Sequence, residues 1–293
     1  MKQAILITAY KNYNHLEEII NFFDENFELY IHIDKKSKIS ETELMNLNKY
    51  ENVKLVSRKF NVNWGGLNHL KCILYLCEQA LKNPDIYYLH LISGSDYPIQ
   101  KVSSFLDFFK INSNEEYLNY FEIPRPNGAD NGGMDRIEYF NLYDFFNAKI
   151  PYENRIIRRL IYFQRRIGYK RPISSKIPKL YSGSTWWSLS RECVQYVMRF
   201  TFENNFLLKR MKCTLCSEEI YFQTIILNSK FALKVNQNTL RCIDWVARNG
   251  NNPAVLDTSD FEKLLTTDAF FARKIEYPQS VLLMNKIKSF LEI

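Results

Sequence analysis

The first hundred residues alternate between two periodicities, and that alternation leaves few folds open. Residues 4–8, 29–33, 53–56 and 88–92 are short, largely apolar runs of strand type. Helical signals separate them. Asn14 reads as an N-cap with Glu17 three residues on, and Ser40-x-x-Glu43 has the spacing of a capping box. Residues 67–81 then set Leu70, Ile73, Leu74, Cys77 and Leu81 at helical spacing. Strands that are apolar throughout are buried on both faces. The order β-α-β-α-β-α-β therefore predicts an α/β fold with a mostly parallel sheet flanked by helices.

The remainder is less regular. Residues 117–123 read as a strand and 124–135, PRPNGADNGGMD, as a surface loop. Ser190 is expected to cap a helix running to about Phe202, and Ser217 to cap SEEIYFQTIILNS. Residues 239–245 read as a strand, with helix from Asp260 onward. No repeat, low-complexity segment or clean linker divides the chain, so one domain over residues 1–293 is expected.

Composition excludes several classes. At 46% hydrophobic and 15% aromatic, the chain is not a disordered one. No apolar run approaches membrane-spanning length, and MKQAILITAY lacks the pattern of a secretory signal. Six cysteines in 293 residues do not make a disulfide framework. Cys72, Cys77, Cys193 and Cys242 sit among apolar neighbours, and Cys213-x-x-Cys216 has no second pair of ligands for zinc. A cytoplasmic setting is expected. There is neither a G-x-G-x-x-G nor a phosphate-loop motif, which argues against dinucleotide and P-loop chemistry.

In open α/β sheets ligands bind beyond the carboxyl ends of strands. Three such ends carry polar residues: Thr8-Ala9-Tyr10, His32-Ile33-Asp34-Lys35-Lys36-Ser37 and Ser93-Gly94-Ser95-Asp96. Taken singly, each acid reads as a solvated loop carboxylate. Glu218-Glu219 falls in the first turn of a predicted helix, where the helix N-terminus favours a carboxylate. The pair is either ordinary first-turn acids or a general base. Arg273-Lys274 is either a cation pair at a helix C-terminus or a clamp for a diphosphate.

Seven stretches, in order, resemble those of the core-2/I-branching β-1,6-N-acetylglucosaminyltransferases and the related peptide O-xylosyltransferases. They are YIHIDKKS (30–37), VNWGG (62–66), HLISGSDYPI (90–99), YSGSTWWSLSRE (181–192), SEEIYFQTIILNS (217–229), LRCIDW (240–245) and FFARKIE (270–276). The resemblance is to a bacterial-type member without the membrane anchor and disulfides of the animal enzymes. It implies a GT-A type nucleotide-sugar fold, with residues 1–110 as the nucleotide-binding half and 111–293 as the acceptor and catalytic half. It also implies inverting, metal-independent transfer from a UDP-sugar to a hydroxyl of a glycan or lipid-linked glycan, giving a β-linkage in surface polysaccharide. N-acetylglucosamine is the expected sugar, with xylose or a hexose as alternatives. No cofactor and no metal are expected, the UDP-sugar being a co-substrate.

By this resemblance Glu219 is the catalytic base. Arg273 and Lys274 bind the diphosphate in place of a metal, with Arg248 as a further candidate. His32, Asp34 and Asp96 line the nucleotide pocket. Trp64, Gly65, Ser93, Ser184, Thr185, Trp186, Glu218 and Trp245 are expected around donor and acceptor, with Asp135, Arg136 and Glu138 in the acceptor loop. The peptide xylosyltransferases carry an Asp where this chain has Thr185, which weakens a peptide acceptor.

The basic stretch NRIIRRLIYFQRRIGYKR (154–171) sets Ile156, Leu160, Phe163 and Ile167 at helical spacing among arginines. It reads either as a core-packed helix with a solvated basic face or as a helix lying on an anionic membrane surface, which would place the protein on the inner face of the cell membrane. The chain's aromatic residues are spread through apparent core elements and not interleaved with this basic run, so no nucleic-acid partner is expected. A non-catalytic glycan- or nucleotide-binding relative is the competing reading, against which the carboxylate at position 219 argues.

Overall fold

A computed structural model describes residues 2–126, 128–248 and 250–292. Asn127 of the expected 124–135 loop lies outside the described residues, as do Met1, Asn249 and Ile293. The chain opens with β1 (Lys2–Ala9), α1 (Tyr13–Phe22), β2 (Phe27–Ile33), α2 (Glu41–Leu47), β3 (Val53–Ser57), α3 (Leu67–Ala80) and β4 (Ile86–Ser93). Then come β5 (Asp96–Pro98), α4 (Val102–Ile111), β6 (Glu116–Leu118), β7 (Phe121–Glu122), a distorted turn α5 (Ala129–Gly132), the short α6 (Asp135–Glu138) and α7 (Pro151–Arg166). The last part holds β8 (Tyr181–Ser182), β9 (Trp187–Ser190), α8 (Arg191–Glu203), α9 (Asn205–Met211), α10 (Glu218–Leu227), β10 (Val235–Asn236), β11 (Arg241–Ile243), α11 (Phe261–Leu265), β12 (Phe271–Arg273) and α12 (Val281–Leu291).

The central sheet has the order β10-β6-β9-β4-β1-β2-β3. Only β9 runs against the others, so the expected mostly parallel sheet flanked by helices is what forms. Alternation along β1 explains why both faces are covered. Ile5 and Ile7 point into a layer with α1, α4 and α12, while Ala4 and Leu6 point into the opposite layer with α3, α8 and α10. β1 and β4 are neighbours although two strands separate them in sequence, so the chain's direction across the sheet reverses there. Such a switch leaves a crevice at the strands' carboxyl ends. Here those ends are Thr8 and Ser93, which face each other in register.

A second sheet, β11-β12-β5, leans on this crevice. The buried Arg241 joins the two sheets. Its guanidinium donates to the carbonyls of Leu91 at 2.9 Å and Trp187 at 2.8 Å and to the hydroxyl of Ser188 at 2.8 Å, and packs over the Phe271 ring. Burial lowers its pKa to about 9, opposed by the charge of Asp96.

Several local expectations are corrected. Asn14 lies inside α1, because Asn12 at φ 60° turns the chain and takes the cap position. The strand expected over 117–123 is broken into β6 and β7, which join different sheets. The apolar run before Arg273 is not helical: it forms β12, parallel to β11 and antiparallel to β5. Arg273-Lys274 therefore leaves a strand end, not a helix C-terminus. Ser217 does precede α10, but among the described residues its buried hydroxyl has no partner, and it makes no side-chain cap bond. Ser40-x-x-Glu43 forms both bonds of its capping box, and Ser190 accepts from the Cys193 amide. Cys213 and Cys216 are free thiols in left-handed turns, at φ 57° and 49°.

Replacing Arg241 by Met is expected to leave the Leu91 and Trp187 carbonyls without donors and to cost about 3 kcal/mol of stability. The denaturant midpoint measures this; an unchanged midpoint would mean the guanidinium does not join the sheets.

Candidate active site

Side chains from six elements, with Trp186 just before β9, meet at the β1/β4 crevice, and the connection can be followed atom by atom. Asp96 opens β5 and is only 1% exposed. One carboxylate oxygen accepts from Arg273 Nη1 at 2.9 Å and the other from the Ser93 amide. The Ser93 hydroxyl also accepts from Arg273 Nη1. Arg273 is held there because β12 pairs Arg273 directly opposite Asp96. Its guanidinium packs over the Trp186 ring at 4.4 Å. Among the described residues, nothing bonds its Nε or Nη2, so that edge remains able to donate.

Trp186 meets His69 edge-on, 6.5 Å between ring centres. His69 lies in the first turn of α3. Its Nδ1 is 3.0 Å from Glu218 Oε1 and its Nε2 is 3.4 Å from the Thr8 hydroxyl. Glu218 Oε2 is buried and unpartnered among the described residues. Thus Thr8 and Ser93, the two strand ends at the switch, are reached by His69 and Arg273 respectively.

Glu219 points elsewhere, as neighbours a quarter-turn apart on a helix must. Its carboxylate bonds Arg136 Nη2 at 2.9 Å and keeps about a third of its surface exposed, 34%. Arg136 is fixed by the carbonyls of Leu215 at 3.1 Å and Cys216 at 2.8 Å and by the Ser182 hydroxyl at 3.1 Å. Burial pushes Glu219 up to about 7; Arg136 opposes the rise and the Glu218 charge adds to it. The group is consequently a carboxylate of unusually high basicity, able to accept a proton near neutral pH.

The remaining predicted residues fall into three sets. Asp34 accepts from the Lys36 and Val62 amides, and Lys36 reaches Asn63, so the strand-end loop braces the VNWGG loop. Trp64 is exposed beside Tyr143, and the Gly65 carbonyl accepts from Cys216, joining that loop to the turn before α10. Gly65 has φ +77°, and a side chain there would strike Leu215. The Ser184 carbonyl accepts from Gln223, the Ser184 hydroxyl from the Trp186 amide, and Thr185 is buried.

A second set faces inward. His32 is buried and accepts from the Phe60 amide; burial lowers its pKa to about 4, so it is neutral. Asp96 supports Arg273, and both its oxygens are already engaged from within the protein.

The third set is committed outside the cluster. Arg248 pairs with Asp260 at 2.6 Å, Trp245 is exposed and has no described contact to the cluster, and Asp135 and Glu138 pair with Arg165 and Lys170. Among the described residues, no group of three or more His, Cys, Asp or Glu is arranged to hold a metal ion.

Two features were not read from the sequence. His69 is one of four scattered histidines, though its position in the first turn of the helix that follows the VNWGG stretch was a signal. Glu276 is buried and bridges Lys274 at 3.0 Å and Lys11 at 2.5 Å. Burial raises its pKa, but the two lysines outweigh this and hold it below the usual range.

The family profile described as "Branch: Core-2/I-Branching enzyme" matches residues 4–265. The chain belongs to the core-2/I-branching enzyme family. The match runs from β1 through α11 and stops before β12, so it contains Glu219 but not Arg273. Among similar proteins of this kind, "Xylosyltransferase oxt" of Drosophila pseudoobscura pseudoobscura is 26% identical over 280 residues, covering 87% of this chain and 29% of that protein. "Xylosyltransferase 1" of Mus musculus is 25% identical over 309 residues, covering 97% of this chain and 29% of that protein. The chain thus spans about three-tenths of the length of these relatives. A solved structure described as a WbbM bifunctional glycosyltransferase aligns at TM-score 0.42 and 13% identity, covering 95% of this chain and 46% of that one.

The path from β8 to Glu219 is tight. The Gly183 amide donates to the Glu219 carbonyl at 2.8 Å, and a Cβ on Gly183 would lie 1.9 Å from the Asn119 carbonyl oxygen. Gly183→Ala is expected to lose about 1–3 kcal/mol through this collision. Thermal melting measures it; an unchanged midpoint would mean that the β7–β8 corner yields freely.

Proposed function

We propose that the protein is an inverting glycosyltransferase that moves a sugar from a UDP-sugar to a hydroxyl of a glycan or lipid-linked glycan. Membership of the core-2/I-branching family supports the reaction class. The observation that carries the mechanism is that one helix turn serves both sides: Glu219 is a carboxylate of raised basicity, while Glu218 beside it is linked through His69 and Trp186 to Arg273, whose Nε and Nη2 are unbonded among the described residues. Glu219 takes the proton from the acceptor hydroxyl. The hydroxyl oxygen then bonds to the anomeric carbon while the carbon–oxygen bond to the diphosphate breaks. UDP departs with its new charge met by the free edge of Arg273 and by Lys274. One displacement inverts the anomeric centre, so an α-linked donor yields a β-glycoside.

In this reading the site is metal-independent because Asp96 spends its charge on Arg273. N-acetylglucosamine is the proposed donor sugar. Xylose is the second reading, favoured by the names of the similar xylosyltransferases. The absence of an acid at Thr185 counts against a peptide acceptor, and surface polysaccharide is the proposed product.

Glu219→Gln is expected to lower transfer by about a hundredfold or more while leaving UDP binding intact. A thermal shift with UDP and the candidate UDP-sugars, followed by a transfer assay, checks both; joint loss of binding and transfer would make Glu219 structural. Transfer should persist in EDTA, and strong inhibition reversed by Mn²⁺ would contradict the proposed role of Arg273. With Glu219 pushed up to about 7, the base form is lost as pH falls through neutrality. The rate should therefore fall with decreasing pH below about 7 and level off above it. In Arg136→Gln the same limb should move to higher pH, because the group that holds the proton off is gone.

A further inference from the structure

The face of α7 that turns away from the protein carries two stripes that no internal contact explains. Ile157 is the one fully buried apolar side chain of this helix, and Gln164 bonds the Phe140 backbone, so the opposite side faces outward. On that side Tyr152, Ile156, Leu160 and Phe163, continued by Ile167, form an apolar stripe at helical spacing, exposed by 36–64% across the helix and its end. Half of the exposed large apolar side chains among the described residues fall between Phe140 and Ile173. Beside this stripe run Arg155, Arg158, Arg159 and Arg166, three of which border a shallow concavity with Asn154 and Tyr162. Residues 149–171 hold eight basic side chains against one acidic, which equals the whole chain's net charge of +7.

We propose that the outward face of α7 docks on an anionic lipid surface, with the apolar stripe entering the headgroup boundary and the arginines meeting lipid phosphates. The charge selects the occupant. A second copy would bring its own arginines against these, whereas an anionic bilayer supplies the opposite charge over the whole face. The inference rests on α7 alone and survives or fails independently of the transferase reading. The placement is also close to the chemistry: Asp135 and Glu138 of α6 hold Arg165 and Lys170, while Arg136 between them holds Glu219.

The test is co-sedimentation of the full chain with vesicles of phosphatidylcholine alone or mixed with phosphatidylglycerol. Binding is expected only to the mixed vesicles. It should weaken when salt rises from about 0.1 M to about 1 M, which shortens the screening length from about 10 Å to about 3 Å. Arg155→Gln with Arg159→Gln should cost about 25-fold in partitioning, or about fivefold per arginine. Ile156→Ser with Phe163→Ser should abolish binding, and both double variants should melt like the parent because all four side chains are exposed. No binding, equal binding to both vesicle types, or indifference to the arginine changes would overturn the proposal. Concentration-dependent self-association removed by Phe163→Ser, or RNA binding without vesicle binding, would overturn it in favour of those partners.

Discussion

A carboxylate buried at the end of a parallel strand has to be neutralised, and in this protein the neutralising group is another side chain. Desolvating Asp96 costs several kcal/mol unless a well-aligned charge meets it. Arg273 does so through a 2.9 Å bond, with the Ser93 amide on the other oxygen. The pair fixes β12 against β5 and holds the guanidinium face against Trp186. Trp186 in turn packs on His69, and His69 holds Glu218 and Thr8. The crevice is thus organised from one buried charge outward. The single acid that the sequence places after β4 is an internal counter-ion in this arrangement.

Glu219 is governed by the opposite balance. It is shielded enough for burial to raise its basicity, yet it stays partly exposed and is steadied by one arginine. Arg136 is itself clamped by two backbone carbonyls, so its position is set by the turn before α10 and not by the carboxylate it serves. Cys213 and Cys216 belong to that turn. Their left-handed backbone costs about 1–3 kcal/mol each, and the strain lets the Cys216 carbonyl point at Arg136.

Much of the scaffold was legible because it rests on local signals. The four parallel strands at the start are largely apolar, and the Ser40 capping box and the Ser190 cap are decided within four residues. What could not be read depends on distant partners. The run before Arg273 suits either helix or strand, and its pairing with β5 and β11 decides between them. Residues 117–123 look continuous, but Gly183 approaches the Asn119 carbonyl at their centre, where the chain passes from one sheet to another. Asn12 displaced Asn14 by adopting a conformation that asparagine tolerates and most residues do not. At the site, Glu219 and Arg273 came from motif resemblance. His69 lies in none of the quoted stretches, and Glu276 closes FFARKIE without a role of its own in the sequence; both are defined by what folding brings beside them.

The bond between Asp96 and Arg273 spans 177 positions of the sequence. A chain emerging from the ribosome from its N-terminus can assemble β1 to β4 before β12 is made, since all four strands lie within residues 2–93. During that interval Asp96 has no counter-charge, and water is its only satisfactory neighbour. The crevice therefore cannot close dry until β12 arrives. Synthesis order makes the nucleotide-side framework an early structure and the assembled centre a late one, with the last strand acting as the check that everything before it is in place.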